Sequence, residues 1–134
     1  MAIAERAGFP VAIRTTSASP HEVRLVDATL DARFTEAQPE RMIGDKAYDS
    51  DPLDERLHKE RGIEMIAPHR MNRRRREPTQ DGRPLRRYVR RWKVERLFAW
   101  LHNFRRVVVR WDYYPEHYQG FIQLACILML LKHF

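Results

Sequence analysis

The chain has 134 residues, and 25 lysines and arginines against 18 acids give it a formal net charge of +7. This length fits one small domain or part of a larger one. A hydrophobic content of 43% excludes a wholly disordered basic tail, and 32% charged residues exclude a membrane-embedded chain. The single cysteine excludes a disulfide framework, and no Cys or His pair has zinc-ligand spacing, so we expect an intracellular, cytoplasmic protein.

The sequence gives no sign of export or membrane insertion. Its first ten residues lack the basic and apolar segments of a secretory signal. The longest apolar run, residues 121–131, contains Gln123 and is shorter than the roughly 20 residues that a membrane-spanning helix needs. We therefore expect a buried final helix and no membrane partner.

The positive charge is concentrated in one segment. Residues 70–110 hold 15 of the 25 basic residues and only three acids, whereas acids outnumber bases by 15 to 10 elsewhere. A basic stripe of this kind is expected for a polyphosphate partner. The alternative is a solvated face with a flexible arginine loop at residues 73–76. Tryptophans and a lone glutamate, Glu95, lie within the stripe and favour nucleic acid as the partner.

The first 34 residues predict a hairpin followed by a helix. Residues 1–5 and 11–16 have the pattern of two short strands joined by a turn. Ser19 as N-cap, Pro20 at the first helical position and a glutamate two residues later have the spacing of a capping box. We therefore expect a helix over residues 20–34.

The next segment predicts the order strand, helix, strand. Residues 41–45 form a short strand that ends in an acid, Asp45. Asp51, followed by proline, predicts the start of a helix, which should stop at Gly62 before a second apolar strand at residues 63–67. Two strands connected in this way form a parallel pair with a right-handed crossover. Asp45 would then lie at the carboxyl end of a parallel strand, where open α/β sheets bind ligands.

The remaining chain predicts a connector and two helices. Residues 70–84 lack periodicity and are rich in Arg, Pro and Gly, which is typical of a mobile connector. A long helix is expected over residues 85–106, and a final helix over residues 116–133. Residues 107–114 are interpreted as a short extended piece or a loop.

On the long predicted helix, Glu95 lies away from the apolar face. At 100° per residue, Tyr88, Arg91 and His102 fall within about 40° of Glu95. The apolar positions, about 100° or more away, are Val94, Leu97, Leu101 and Phe104. Glu95 therefore either projects toward a partner of the helix or forms a local ion pair with Arg91.

Two stretches of the chain resemble a known family. The strings GDKAYDSDPLDERL and DGRPLRRYVRRWKVERLFAWLHNFRR are similar to the carboxyl-terminal part of bacterial insertion-sequence transposases of the DDE class, in the group named after insertion sequence five. The resemblance covers nearly the whole chain. In that family, tyrosine, arginine and glutamate at the spacing of Tyr88, Arg91 and Glu95 mark the helix with the third carboxylate.

The resemblance implies an RNase H-like α/β fold in which three carboxylates hold two Mg²⁺ ions for phosphodiester chemistry. It makes Asp45 the second carboxylate and Glu95 the third, each a catalytic residue and a metal ligand. His102 stands where the wider class commonly has a basic residue, and whether Arg105 or Arg106 replaces it is left open. The residues expected to contact DNA are Tyr88, Arg87, Arg90, Arg91, Lys93, Arg105 and Arg106. Trp92 and Trp100 are expected in the core, with stacking on an unpaired base as the alternative.

No residue matches the family's first aspartate, and we expect an incomplete RNase H-like fold without its first strand. Glu5 is a candidate substitute, but its position corresponds to the hairpin. The expected regions are a partial α/β region at residues 1–69, a basic connector at 70–84 and a helical region at 85–134. A polypeptide of these residues is expected to be unstable alone, or to recruit a replacement strand, and to be catalytically inactive.

The resulting hypothesis is a transposase catalytic-domain fragment for metal-dependent cleavage and strand transfer at element ends. Its expected partners are the terminal inverted repeats of the element and either the upstream half of the enzyme or full-length transposase, in the bacterial nucleoid. The first alternative is a non-catalytic basic DNA-binding regulator or inhibitor derived from a transposase. A ribosome-associated RNA-binding protein is a third reading, which rests on charge alone.

Overall fold

The computed structural model describes residues 1–17, 19–71 and 82–132. The strands are β1 (Ala2–Ala4), β2 (Pro10–Ile13), β3 (Arg41–Ile43) and β4 (Glu64–Ile66). The helices in the described part are α1 (Val26–Asp31), α2 (Asp51–Arg61), α3 (Gly82–Leu85), α4 (Trp92–Leu101), α5 (Arg105–Val108) and α6 (Pro115–Leu131). Short 3₁₀ helices span Glu22–Leu25, Lys46–Tyr48 and Arg86–Arg91. The fold is α/β, as predicted.

The described residues form two compact units. Unit 1 combines the segments Met1–Glu36 and Lys93–Phe134, and unit 2 is the continuous segment Ala37–Trp92. These units do not coincide with the regions predicted at residues 1–69 and 85–134, because the hairpin clusters with the carboxyl-terminal helices. Most of the predicted connector, residues 72–81, lies outside the described residues.

The hairpin of unit 1 agrees with the prediction. β1 and β2 are antiparallel, with Ala2 opposite Ile13. Gly8 has a φ of +93°, which glycine tolerates in the connecting turn. The Glu5 carboxylate accepts a hydrogen bond from the Ala7 N–H at 2.8 Å, so this acid stabilises the turn.

The second edge of β2 is covered by groups from two other segments. The Phe34 N–H donates to the Val11 carbonyl at 2.8 Å. The Gln119 side chain on α6 accepts from the Thr15 N–H at 2.7 Å and donates to the Ile13 carbonyl at 2.9 Å. The Gln119 side-chain amide therefore makes the two hydrogen bonds to the edge of β2 that the backbone of a neighbouring strand would otherwise make.

The helix predicted over residues 20–34 is shorter than expected. A 3₁₀ turn precedes α1, and α1 ends at residue 31 because Arg33 leaves the helix to form an antiparallel bridge with Ala12. The cap is His21, whose Nδ1 accepts a hydrogen bond from the first turn, and Ser19 is not the cap. Pairing with β2 therefore overrides the helical periodicity at this position.

The core of unit 1 lies between the hairpin, α4 and α6. Its buried members are Ile13, Leu97, Leu101, Val107, Ile122, Ala125, Cys126 and Met129. α6 begins at Pro115, whose fixed φ suits the first helical turn. Within residues 1–17, 19–71 and 82–132, no helix is long and apolar enough to span a membrane.

Unit 2 contains the predicted strand, helix and strand. β3 pairs with β4 in parallel, with Met42 opposite Met65, and α2 connects them. Gly62 ends α2 in the left-handed conformation, at φ +65°. The strand stops at residue 43, before Asp45, and the helix cap is Ser50, one residue before the predicted Asp51.

The continuous helix predicted over residues 85–106 is wrong. Residues 86–91 form a 3₁₀ helix, α4 ends at Leu101, and α5 is a separate short helix. After Leu101 the helix closes with bonds between residues three apart, from the Asn103 N–H to the Trp100 carbonyl at 3.1 Å and from the Phe104 N–H to the Leu101 carbonyl at 3.0 Å. In a 3₁₀ helix, residues three apart align, as Tyr88 and Arg91 do. The 100° wheel therefore does not apply to Tyr88 and Arg91.

Candidate active site

Asp45 lies directly beyond the parallel strand pair of unit 2. The Gly44 N–H donates to the Ile66 carbonyl at 3.0 Å and extends the pairing by one residue past β3. Asp45 then caps the next 3₁₀ helix, because its Oδ1 accepts from the Ala47 N–H at 2.8 Å. Its side chain is 43% exposed. The carboxylate is therefore fixed at the carboxyl end of a parallel strand and accessible to a ligand.

Close packing explains the glycine before this acid. A Cβ at Gly44 would lie 2.5 Å from the Met65 Cε and 2.7 Å from the Tyr48 Cδ2. The Tyr48 ring, four residues further along, thus occupies the space that a side chain would need. The glycine, aspartate and tyrosine of the GDKAY string therefore form one packed turn.

A second aspartate ties this turn to the loop after β4. The Asp49 side chain is only 4% exposed, and its carboxylate accepts from His69 Nδ1 at 2.8 Å and from the Arg70 N–H at 2.7 Å. The Arg70 guanidinium donates in return to the carbonyls of Lys46 and Ala47, at 2.7 and 2.6 Å. The loops at the ends of both parallel strands are thereby held together.

Sequence reasoning missed Asp49. The available signal was a second aspartate four residues after Asp45, in a string already singled out by the resemblance. Arg70, which was assigned to a mobile connector, instead belongs to this bonded loop pair. Both residues position the segment that carries Asp45.

The structure brings three of the predicted site residues together within unit 2. Arg91 Nη1 lies 3.9 Å from Asp45 Oδ2, and both side chains are partly exposed. The Arg91 guanidinium carbon is 5.8 Å from the centre of the Tyr88 ring. This geometry places a cation beside the Asp45 carboxylate and an aromatic ring beside the cation.

Glu95 belongs to unit 1, in the first turn of α4. Its side chain is exposed, while Leu97 and Leu101 on the same helix are buried. The prediction that Glu95 lies off the apolar face is therefore confirmed within α4. The other site residues of unit 1 are Lys93, Arg105 and Arg106, and His102 is exposed just after α4.

The basic residues differ in their surroundings. Arg90 is exposed and Arg87 is partly exposed on the 3₁₀ helix. The Lys93 ammonium donates to the Arg6 carbonyl, and the Arg96 guanidinium donates to the Ala7 carbonyl. Lys93 therefore stabilises the hairpin turn, in addition to any contact with DNA.

The two tryptophans of the predicted helix have different environments. Trp100 packs against the core, and its ring centre lies 5.8 Å from the ring centre of Phe9. The guanidinium carbon of Arg96 lies 4.9 Å from the centre of the Trp100 ring. Trp92 is 52% exposed, so the expectation of a core position is wrong for this residue.

The surroundings of Asp45 decide which further ligands a metal ion there would need. Among residues 1–17, 19–71 and 82–132, no three His, Cys, Asp or Glu side chains are grouped so that they could hold a metal ion. One oxygen of Asp45 bonds to a backbone N–H and the other faces Arg91. A divalent cation at Asp45 would need further oxygen ligands.

Comparisons with known proteins agree on one family. The family described as "Transposase DDE domain" matches residues 1–130. A protein of Burkholderia cepacia assigned as a transposase for insertion sequence element IS402 is 32% identical over 130 residues, which cover 91% of this chain and 57% of that relative. No solved structure gives a significant match. The chain therefore belongs to the transposase DDE domain family.

Proposed function

We propose that these residues form part of the catalytic core of an insertion-sequence transposase, with Asp45 and Glu95 as two of its catalytic carboxylates. The observation that carries the proposal is the position of Asp45, fixed and accessible at the carboxyl end of β3. The bonds of Asp49 to His69 and Arg70 support it, because they hold the acid-bearing turn in place. Catalytic groups need such support to keep their geometry.

The proposed fold is RNase H-like. The antiparallel hairpin followed by α1 and the parallel pair β3–β4 with its crossover helix are parts that such a sheet contains. In this arrangement, Asp45 and Glu95 supply the second and third carboxylates. A polypeptide limited to these 134 residues is proposed to be inactive until another strand supplies the first carboxylate.

Magnesium is proposed as the cofactor of the assembled enzyme. Carboxylate oxygens are the ligands that Mg²⁺ prefers, and two ions can activate the attacking oxygen and stabilise the leaving oxygen of a phosphodiester. Asp45 and Glu95 would contribute to such a site only when the missing carboxylate completes the ligand set. In the structure, the Arg91 guanidinium lies beside the Asp45 carboxylate, at 3.9 Å.

The proposed substrate is DNA at the terminal inverted repeats of an element. The exposed Arg90 and the partly exposed Arg87 lie three residues apart on the same 3₁₀ helix as Arg91 and share one of its faces, so they supply further cations for DNA phosphates in unit 2. In unit 1, the exposed Arg105 and Arg106 supply further cations. Full-length transposase or the upstream half of the enzyme is the proposed protein partner.

A non-catalytic DNA-binding regulator is the second candidate. It is favoured by one observation: Arg90, Arg105 and Arg106 are exposed, so cations are available to DNA phosphates without any metal ion. In that case, the chain would bind element ends or join full-length enzyme and inhibit it. The catalytic function requires the carboxylates of Asp45 and Glu95, whereas the regulatory function does not.

The test is substitution of both acids in reconstituted full-length transposase. Asp45→Asn and Glu95→Gln should each lower Mg²⁺-dependent cleavage of inverted-repeat DNA by roughly 10³-fold, since each removes a negative ligand of a metal that provides several kcal/mol. DNA affinity should change little. Glu116→Gln, an exposed acid in the first turn of α6, is the matched control and should cleave normally. Normal cleavage by both acid variants would exclude the catalytic proposal and leave the regulator.

A further inference from the structure

An open cleft on unit 1 lies beyond the proposed catalytic residues. It has a volume of about 540 Å³ and is lined by Arg105, Arg106 and Trp111. Sites that hold small ligands have volumes of roughly 300–1,000 Å³, so the cleft has room for one nucleotide. Two cations and one aromatic ring therefore line a space of nucleotide size.

The aromatic wall of the cleft is exposed but anchored. Trp111 is 76% exposed, although a large aromatic side chain usually finds apolar cover. Its turn is fixed by Arg110, whose guanidinium donates to the carbonyls of Asp112 and Tyr113 at 3.0 Å each. The ring is thus presented to solvent by a bonded turn, and its face is available for stacking.

The cationic wall is also preorganised. Arg105 and Arg106 are exposed, and within the part of the chain that the structure describes neither has a carboxylate at ion-pair distance. The Arg106 guanidinium carbon lies 5.2 Å from the centre of the Phe121 ring, which orients the group. The Tyr118 hydroxyl donates to the Val107 carbonyl at 2.8 Å and fixes α5 against α6. The two guanidinium groups can therefore accept an anion without losing an internal ion pair.

We propose that this cleft binds an unpaired nucleotide of a DNA strand, with Trp111 stacked on the base and Arg105 and Arg106 on the adjacent phosphates. Stacking on an exposed aromatic ring next to cations is the general mode of single-strand binding. A base in a duplex has both faces covered, so this mode selects frayed or unpaired ends. The inference rests on the proposed function for its choice of DNA, and it assigns Trp111 to strand binding.

The test measures binding of fluorescein-labelled oligonucleotides to the purified 134-residue chain by anisotropy. The probes are a 15-nucleotide oligothymidylate and a blunt duplex of the same length. Trp111→Ala should weaken binding to the single strand about tenfold and binding to the duplex less than twofold, whereas Trp111→Phe should retain single-strand binding within about twofold. Tyr113→Ala is the matched control, because this tyrosine is 86% exposed in the same turn and does not line the cleft.

The cationic wall has its own readout. For the single strand, the slope of log association constant against log salt concentration should become shallower by about 1.4 when Arg105 and Arg106 are both changed to Ala. Arg24 is an exposed arginine outside the cleft, and Arg24→Ala should change this slope less. Equal single-strand affinity of Trp111→Ala and the unchanged chain would overturn this inference while leaving the roles of Asp45 and Glu95 intact. A chain that binds neither probe, although its circular dichroism spectrum shows the helices of the fold, would overturn both this inference and DNA as the partner.

Discussion

At the residue scale, Gly44 decides how the acid-bearing turn packs. Its φ is unremarkable for any residue, so the requirement for glycine here is space: the Tyr48 ring and the Met65 methyl group occupy the position of a Cβ. The end of the Met65 side chain can move, but the Tyr48 ring is part of the turn that Asp45 caps. A methyl group at this position would therefore displace the turn itself.

We predict that Gly44→Ala lowers the free energy of unfolding by about 1–3 kcal/mol, the usual cost of overpacking. The matched control is Gly120→Ala, because no atom other than its chain neighbours and the backbone of its own helix lies within 4 Å of a Cβ at that position in α6. It should raise stability by up to about 1 kcal/mol, since alanine is the better helix former. Urea unfolding followed by circular dichroism measures both, and the same sign for the two variants would contradict the explanation.

The local positions of the two candidate acids were predictable from nearby residues. Asp45 follows a short apolar strand, and Glu95 lies off the apolar positions of one helix, so a few neighbouring residues predict where each of them lies. For Asp49, the local sequence offers only its position four residues after Asp45, because its partners His69 and Arg70 come 20 and 21 residues later. Only the closed loop pair reveals that this acid is buried and bonded.

At the element scale, predictions are correct where the signals lie within the element and wrong where its partners are distant in sequence. α2 was predicted well, because the proline in its first turn and Gly62 at its end act within the helix itself. The helix over residues 20–34 was predicted too long, because its last residues pair with a strand that the local pattern does not include. The segment 85–106 was taken as one helix, because its apolar periodicity does not reveal the 3₁₀ helix at residues 86–91 or the end of α4 at Leu101.

Gln119 connects two elements of unit 1, and its removal should be costly. We predict that Gln119→Ala lowers the free energy of unfolding by about 1–3 kcal/mol, because the Thr15 N–H and the Ile13 carbonyl lose their partner in a partly buried position. Gln123→Ala, an exposed glutamine on the same helix, should change stability by less than about 0.5 kcal/mol. Equal effects of the two changes in chemical denaturation would refute the proposed strand-edge contact.

At the scale of the whole molecule, the core of unit 1 contains one titratable group. Burial raises the pKa of the Cys126 thiol from 9.0 to about 11, and the side chain is almost fully buried. When the pKa of a group is higher in the folded chain than in the unfolded chain, its contribution to the free energy of unfolding is complete at pH values below the unfolded pKa. That contribution is lost as the pH rises through the folded pKa. The core should therefore weaken between about pH 9 and pH 11.

Comparison with Cys126→Ala isolates this effect from the other groups that titrate in alkali. The difference in free energy of unfolding between the unchanged chain and the variant should be constant up to about pH 8.5, then shift against the unchanged chain by on the order of 2 kcal/mol near pH 11. Denaturant midpoints across this pH range measure the difference. A difference that stays constant up to pH 11 would show that the thiol ionises equally in both states.

The division of the chain into units also sets an order of events during synthesis. β2 ends at residue 13, but α4, which covers the core face of the hairpin, begins only at Trp92. At roughly 5–20 residues per second, a ribosome needs about 4–16 s to deliver the intervening chain. Unit 2 is continuous in sequence and can complete its parallel pair during that interval. The hairpin meanwhile waits with Ile13 uncovered, so we expect a chaperone that binds apolar segments to protect residues 1–13 of the nascent chain for longer than unit 2.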